Sequence, residues 1–101
     1  MAKQMINPHP GEILVEEFLK PLHLSQNRLA IELRVPCHRI NELVHRRRGV
    51  TADTALRLGR FFGTTADFWM NLQKSYDLAA AEELLAAELP RIHSHAKTAA
   101  A

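Results

Sequence analysis

Two short apolar stripes with a proline between them constrain this chain more than any other feature. The apolar residues of the stretch are Leu29, Leu33, Val35, Ile40 and Leu43. The first two are four apart and the last two are three apart, so each pair lies on one helix face. Pro36 disfavours helical backbone at the residue before it and suits the first position of a second helix. Since the small Ala30 also permits close helix packing, Gln26 to Leu43 is predicted to form a helix-turn-helix.

The polar residues of the second predicted helix, from about Pro36 to Arg46, favour DNA binding. Pointing away from its apolar face are Cys37, His38, Arg39, Asn41 and Glu42. In a major groove, Arg can pair bidentately with guanine and Asn with adenine. The cluster Arg46, Arg47 and Arg48 follows, able to hold phosphates, with Gly49 closing the turn. The alternative is an ordinary helical hairpin with a solvated basic face.

Length and composition indicate one globular domain without a membrane-spanning segment. The chain has 101 residues, of which 47% are hydrophobic, enough for one modest core. Its single cysteine excludes an internal disulfide framework. It has no 18-residue apolar run and no signal-peptide pattern, so we expect a cytoplasmic protein.

Charge is unevenly placed along the chain, although the net charge is only +2. From Arg34 to Arg60 there are seven arginines against two acids, whereas Asp77 to Pro90 has four acids and no base. The basic middle suggests a polyanion-binding face, and the acidic segment suggests a surface with another role. Each run is also compatible with a plain solvated helix face.

Helical signals extend over most of the chain and predict an all-α domain of five or six helices. A first helix should begin at Pro10 and end near Lys20, before Pro21. Ser25 should cap the helix 26–33, and Arg34 then occupies a turn position where a left-handed glycine is usual.

The second half of the chain carries the same kinds of signal. Thr51 should cap a helix from Ala52 to Phe62 that Gly63 ends, and Thr65 should cap another. An apolar stripe continues to Pro90, which should end the last helix. We expect residues 8–89 to form the DNA-binding and dimerisation domain, with a flexible N-terminus over 1–7 and a disordered tail over 90–101.

The sequence contains little that predicts catalysis, nucleotide binding or a metal site. No arrangement of nucleophile and base predicts an enzyme, and no glycine-rich loop predicts a nucleotide site. A zinc site needs about four ligands at recognisable spacing, and only one cysteine is present. His93 and His95 could bind a metal adventitiously. We expect neither a catalytic residue, a metal nor a cofactor.

Five segments together resemble HigA-type antitoxins, which are small lambda-repressor-like (XRE) helix-turn-helix proteins. The segments are HPGEIL at 9–14, LSQNRLA at 24–30, RINEL at 39–43, VTADTALRLGRFFGT at 50–64 and DFWMNLQKSYDL at 67–78. The resemblance implies a bacterial, cytoplasmic protein that neutralises a RelE-like, HigB-type mRNA-cleaving toxin. It also implies a homodimer that represses its own operon and is nucleoid-associated when bound to operator DNA.

The resemblance also assigns roles to individual residues. The motif's base-facing positions hold Gln26, Asn27, Cys37, His38, Arg39 and Asn41, and the phosphate-facing ones hold Ser25, Arg46, Arg47 and Arg48. Arg34 in place of the usual glycine, and the Cys37-His38 pair in place of small or hydroxyl residues, depart from the family pattern. The operator sequence cannot therefore be transferred from relatives.

Two further surfaces are expected, one for a second copy and one for the toxin. The dimer is expected to use Trp69, Leu72, Tyr76, Leu78, Leu85 and Leu89, although Trp69 also suits a core. The toxin, itself basic, is expected on the first helix at Glu12, Glu16 and Glu17, with the acidic run Asp77 to Glu88 as the rival. Alternatives for the whole chain are a stand-alone regulator without a toxin and a helical adaptor that binds only protein.

Overall fold

The computed structural model describes residues 7–95, and this part of the chain contains helices and turns but no strand. The first helix, α1, comprises Pro10–Ile13, a π-helical segment Leu14–Leu19 and Lys20–Leu22. Four further α-helices follow: α2 Gln26–Leu33, α3 Cys37–Val44, α4 Ala52–Phe62 and α5 Ala66–Leu84. A short 3₁₀ turn, Leu89–Arg91, comes last. The all-α fold predicted from the sequence is confirmed.

Helix starts follow the side-chain caps that the sequence contains. Ser25 Oγ accepts the Arg28 backbone N–H at 3.0 Å, and Thr65 Oγ1 accepts that of Phe68 at 3.0 Å. Thr51 caps α4 in the same way. Because each cap satisfies a backbone donor that the first helical turn leaves free, these predicted starts are confirmed.

Left-handed residues follow several of the helices. Two of them are arginines, Arg34 after α2 and Arg46 one residue beyond the cap of α3. Arg34 has φ 63° and ψ 44° at the end of α2, so it does occupy the position where glycine is usual. Gly63 ends α4 with φ 77°, as predicted. A non-glycine residue in this conformation costs about 1–2 kcal/mol, which the packing of α2 against α3 must offset.

The first helix extends past the proline expected to end it. Pro21 lies inside Lys20–Leu22, and the helix ends instead at His23, which is left-handed with φ 52°. Proline removes one backbone donor, but its fixed φ is itself helical. The preceding turn is widened, since Lys20 N–H bonds to the Val15 carbonyl, five residues back.

The core lies between α1, the helix-turn-helix, α4 and the amino-terminal half of α5. Its buried apolar members are Leu14, Leu19, Leu29, Ala30, Leu33, Ile40, Leu43, Val50, Ala55, Leu58 and Trp69. The Trp69 indole is 0% exposed, and its Nε1–H donates to Thr64 Oγ1 at 2.8 Å. The expectation that Trp69 lies on the dimer surface is wrong, because the core already encloses the whole side chain.

The last helix ends earlier than its apolar stripe suggested. It stops at Leu84, and Pro90 lies within the 3₁₀ turn rather than ending the helix. Every residue from 82 to 95 is exposed. Without a packed face, helix propensity alone sustains only marginal structure, so the Leu and Ala content did not extend the helix. Within residues 7–95, no helix is both long and apolar enough to cross a membrane. Of the termini predicted to be flexible or disordered, residues 1–6 and 96–101 lie outside the described residues. Residues 90–95 are described; they are exposed and contain the end of the 3₁₀ turn.

Candidate DNA-binding surface

Helix α3 presents one polar face outward from the core. Ile40 and Leu43 are buried, whereas Cys37 and His38 are exposed at the start of the helix. Pro36 was predicted as the first helical residue, but its ψ of 144° makes it the residue before the helix. No side-chain cap covers the first N–H groups of α3. The helix therefore offers unpaired backbone donors and two exposed side chains at one end.

The two helices of the helix-turn-helix are linked by a side-chain hydrogen bond. Asn41 Nδ2 donates to Gln26 Oε1 at 3.3 Å, and both residues are half-buried. The bond leaves Asn41 with Oδ1 and its second N–H, which is the pair of groups that an adenine edge requires. Asn27, beside Gln26, is exposed. The six predicted base-facing residues on α2 and α3 therefore include one hydrogen-bonded pair, Gln26 and Asn41.

Arg39 lies on the flank of α3 and faces α4 instead of open solvent. Its Nη1 donates to Asp53 Oδ1 at 3.1 Å, and the Arg39 side chain is only 28% exposed. Asp53 Oδ1 also accepts Arg57 Nε at 2.7 Å. The pKa of Asp53 lies below its usual value, chiefly because Arg57 donates to it and secondarily because of Arg39. The sequence did not reveal this pairing, since Arg39 and Asp53 belong to separate helices.

The three arginines after α3 are held differently from one another. Arg46 is left-handed with φ 63°, and its Nη2 lies 3.2 Å from Glu12 Oε1. Arg48 Nη2 lies 2.8 Å from Glu42 Oε1, and the Arg48 bond lowers the pKa of Glu42. Arg47 is exposed and forms no ion pair within residues 7–95. The turn therefore has one free cation between two that are tethered by acids.

Gly49 serves close packing and does not close this turn as predicted. The left-handed residue of the turn is Arg46. A Cβ at Gly49 would lie 2.7 Å from the carboxamide of Gln73, whose Oε1 accepts the Val50 N–H at 2.6 Å. The small residue thus lets α5 anchor the loop that carries the arginines.

The segment His9 to Gly11 fixes α1 against α3, a role that the sequence alone did not show. His9 is buried, and its Nδ1 accepts the Gly11 N–H at 2.9 Å. The Tyr76 ring meets the His9 ring edge-on, with centroids 4.9 Å apart. A Cβ at Gly11 would collide with the Leu43 carbonyl oxygen. The signal that could have revealed this contact is the sequence His-Pro-Gly-Glu, in which the histidine side chain can cap the helix that follows.

The acids proposed for a toxin surface are exposed but differ in their partners. Glu12 pairs with Arg46, and Glu16 pairs with Lys20 at 2.9 Å. Glu17 is exposed on the same helix. Among the residues proposed for dimerisation, Leu72 and Tyr76 are half-buried, whereas Leu78, Leu85 and Leu89 are 56%, 44% and 43% exposed. These three leucines remain available to a partner.

Comparison with known proteins places the chain among helix-turn-helix regulators. Virulence-associated protein I of Dichelobacter nodosus is 59% identical over 75 residues, covering 74% of this chain and 69% of that protein. An uncharacterized HTH-type transcriptional regulator of Escherichia coli, YbaQ, is 41% identical over 90 residues, covering 87% and 80%. The solved structure of the Pseudomonas aeruginosa antitoxin HigA with its promoter superimposes with a TM-score of 0.84 at 43% identity, covering 88% of this chain and 97% of that one. No protein-family model matches the sequence.

Proposed function

The chain belongs to the HigA-type antitoxins of the lambda-repressor-like helix-turn-helix family, and from this premise we propose that it is an antitoxin that represses its own operon. In this proposal it binds operator DNA sequence-specifically as a homodimer and neutralises a basic, RelE-like mRNA-cleaving toxin. It acts in the bacterial cytoplasm, where both the operator and the toxin's mRNA targets are found. Neutralisation occurs by masking the toxin, with no enzymatic step.

The exposed face of α3 next to the arginine turn carries the DNA-binding part of the proposal. Cys37, His38 and Asn41 would face bases, because they lie on the polar side of α3. Arg47, which follows the other end of that helix and forms no ion pair within residues 7–95, would face a phosphate. Ser25, Gln26 and Asn27 at the start of α2 would contact the adjoining backbone and base edges. The structure of the P. aeruginosa relative with a promoter supports DNA binding by this fold.

The exposed leucines of the carboxyl-terminal segment support the homodimer. Leu84 and Ile92 are 85% and 67% exposed, in addition to the leucines at 78, 85 and 89. The described part of the chain extends 55 Å along its longest axis, so this segment projects from the core. A second copy would cover these side chains and gain about 25 cal/mol for each Å² of apolar surface removed from water. Two-fold symmetry would place two α3 helices about 34 Å apart, one DNA turn.

The first helix is the surface that we propose for the toxin. Glu16 and Glu17 are exposed on α1, and a dimer formed through the leucines of the carboxyl-terminal segment would leave them accessible. Glu12 has a second role, because its ion pair with Arg46 links this surface to the DNA-facing turn. The acids Glu82, Glu83 and Glu88 lie beside the exposed leucines and are the rival surface.

The toxin part of the proposal is tested by co-expression with the product of the neighbouring gene, which the proposal expects to be a small basic protein. The chain should restore growth and co-purify with that protein. The variant Glu16→Lys with Glu17→Lys should slow association most at low salt, because opposite charges steer the encounter. The matched control Glu82→Lys with Glu83→Lys should bind the toxin at the parental rate. Glu12 stays unchanged in both, since reversing it would place a cation beside Arg46.

A second function, repression without a toxin, is favoured by the E. coli relative, which is described only as a transcriptional regulator. The two functions differ in one observable. If the neighbouring gene product neither stops growth nor binds this chain, while operator binding persists, the protein is a stand-alone regulator.

A further inference from the structure

One carboxylate oxygen and the arginine bound to it connect three helices of the candidate DNA-binding surface. Asp53 Oδ1, on α4, accepts Arg39 Nη1 of α3 at 3.1 Å and Arg57 Nε at 2.7 Å. Arg57 Nη1 in turn donates to the carbonyl of Leu33 at 2.8 Å, at the end of α2. That carbonyl is one of those a helix end leaves without an intrahelical donor. The chain of contacts therefore runs from Arg39 to the end of α2.

We propose that Asp53 is a positioning residue that orients the Arg39 guanidinium to read one guanine, and so sets part of the operator specificity. The inference rests on the proposed DNA-binding function. It assigns a role to a residue of α4, outside the helix that would contact the bases. Asp53 follows Thr51 in the first turn of α4, where its plain role would be to face the positive end of that helix.

The geometry of Arg39 suits this role. A guanidinium has five N–H donors, and the contact with Asp53 occupies one of them. The opposite edge retains the pair of donors that can reach O6 and N7 of guanine together. The Arg39 side chain is 28% exposed, against 56% for Arg46 and 64% for Arg28, so it is the more tightly enclosed cation. Holding the planar group in place before binding reduces the rotamer freedom lost in the complex.

Arg57 keeps the carboxylate itself in place. The pKa of Asp53 is lowered first by its bond from Arg57, so the group is ionised at neutral pH whether or not Arg39 is bound to DNA. Arg57 is also fixed by the Leu33 carbonyl. The acceptor is therefore anchored independently of the arginine that it orients.

Two measurements distinguish a carboxylate that positions Arg39 from one that only stabilises the fold or competes with DNA for Arg39. Asp53 is a negative charge close to a surface that binds phosphates, so removing it should not weaken binding to unrelated DNA and can strengthen it. Loss of orientation should at the same time reduce discrimination at one base pair. The two effects have opposite signs, and only the second depends on Arg39.

The experiment compares full-length protein with Asp53→Asn, Arg39→Ala and the double variant. The matched control is Asp67→Asn, since Asp67 is also an exposed acid in the first turn of a helix capped by threonine. The probe is a duplex that the parent protein selects from a randomised DNA pool, together with its single-base-pair variants and a scrambled duplex. Affinities are measured by fluorescence anisotropy at several salt concentrations, and folding by thermal melting.

In the parent protein, the base pair read by Arg39 should be preferred over its alternatives by about 5- to 150-fold. Asp53→Asn should lower that preference at least about threefold while binding the scrambled duplex as tightly as the parent or more tightly. It should have no effect on the preference in the Arg39→Ala background. Asp67→Asn should change neither quantity.

Other results overturn the inference in distinguishable ways. If Asp53→Asn leaves the preference unchanged or raises it while Arg39→Ala abolishes it, Asp53 does not position Arg39, and the proposed function stands. If Arg39→Ala changes no base preference, Arg39 is not a base reader, and the inference fails. If the parent selects no duplex at all, the proposed function fails with it.

Discussion

Replacing Gly11 by alanine should separate α1 from α3 and lower the free energy of unfolding. Gly11 is buried, and an added Cβ would overlap the Leu43 carbonyl oxygen and lie 2.9 Å from the carbonyl carbon. Both obstacles are backbone atoms, which cannot rotate away as the end of a side chain could. The added atom would also lie 3.2 Å from His9 Nδ1, the acceptor that caps the helix. The helices must therefore shift.

The size of the effect follows from two opposing contributions. Overpacking costs about 1–3 kcal/mol, and immovable backbone places this site near the upper end. Alanine is favoured over glycine inside a helix by about 1 kcal/mol, which offsets part of the cost. A net loss of about 2 kcal/mol lowers the Tm of a domain of this size by roughly 8–16 °C.

Thermal melting followed by circular dichroism measures the change, with Gly63→Ala as the control. Nothing lies within 4 Å of a Cβ at Gly63, but its φ of 77° makes alanine costly by about 1–2 kcal/mol. Both variants should be less stable, yet only Gly11→Ala should weaken DNA binding well below its Tm, because Leu43 belongs to α3. A Tm for Gly11→Ala within about 2 °C of the parent would refute the argument.

Three further predictions concern DNA, pH and assembly. Arg47→Ala should weaken binding to every duplex and reduce by about one the slope of log affinity against log salt concentration. Asn41→Ala should instead cost about 1–3 kcal/mol of binding free energy at one base pair. Fluorescence anisotropy with a panel of duplexes distinguishes the two effects. Burial, and secondarily Arg46, hold the pKa of His9 below 6.5. Because the unfolded state therefore binds the proton more readily, the free energy of unfolding should fall as the pH drops through 6.5. His9→Asn, which keeps a capping oxygen, should show a smaller loss between pH 7 and 5.5 in denaturant titrations. Leu78→Asp with Leu85→Asp should yield a folded monomer by light scattering, since both side chains are exposed; a dimer would place the interface elsewhere.

The features predicted correctly from the sequence are those that depend on neighbouring residues. Thr51 and Gly63 determine the bounds of α4 through a cap and a left-handed turn, and each acts within one helical turn of its own position. Arg34 was recognised as an unusual left-handed residue for the same reason. Local patterns therefore sufficed to predict the helix-turn-helix and its left-handed turn residue.

The features that escaped prediction depend on contacts between distant segments. The approach of Gly11 to Leu43 and the pairing of Arg39 with Asp53 join residues on different helices. Periodicity places each residue on a face but does not say which side chain lies opposite. The end of α5 was misplaced for a related reason, because whether Leu85 packs on the core depends on the tertiary fold.

The central claim is that the polar face of α3 and the arginine turn bind one operator as a dimer. Binding of the full-length protein to the DNA upstream of its own operon, titrated at several salt concentrations against a scrambled duplex, tests it most directly. We expect two protomers per operator, a preference of about a thousandfold or more over scrambled DNA, and an affinity that falls steeply with salt. Equal affinity for both duplexes, or binding insensitive to salt, would contradict it.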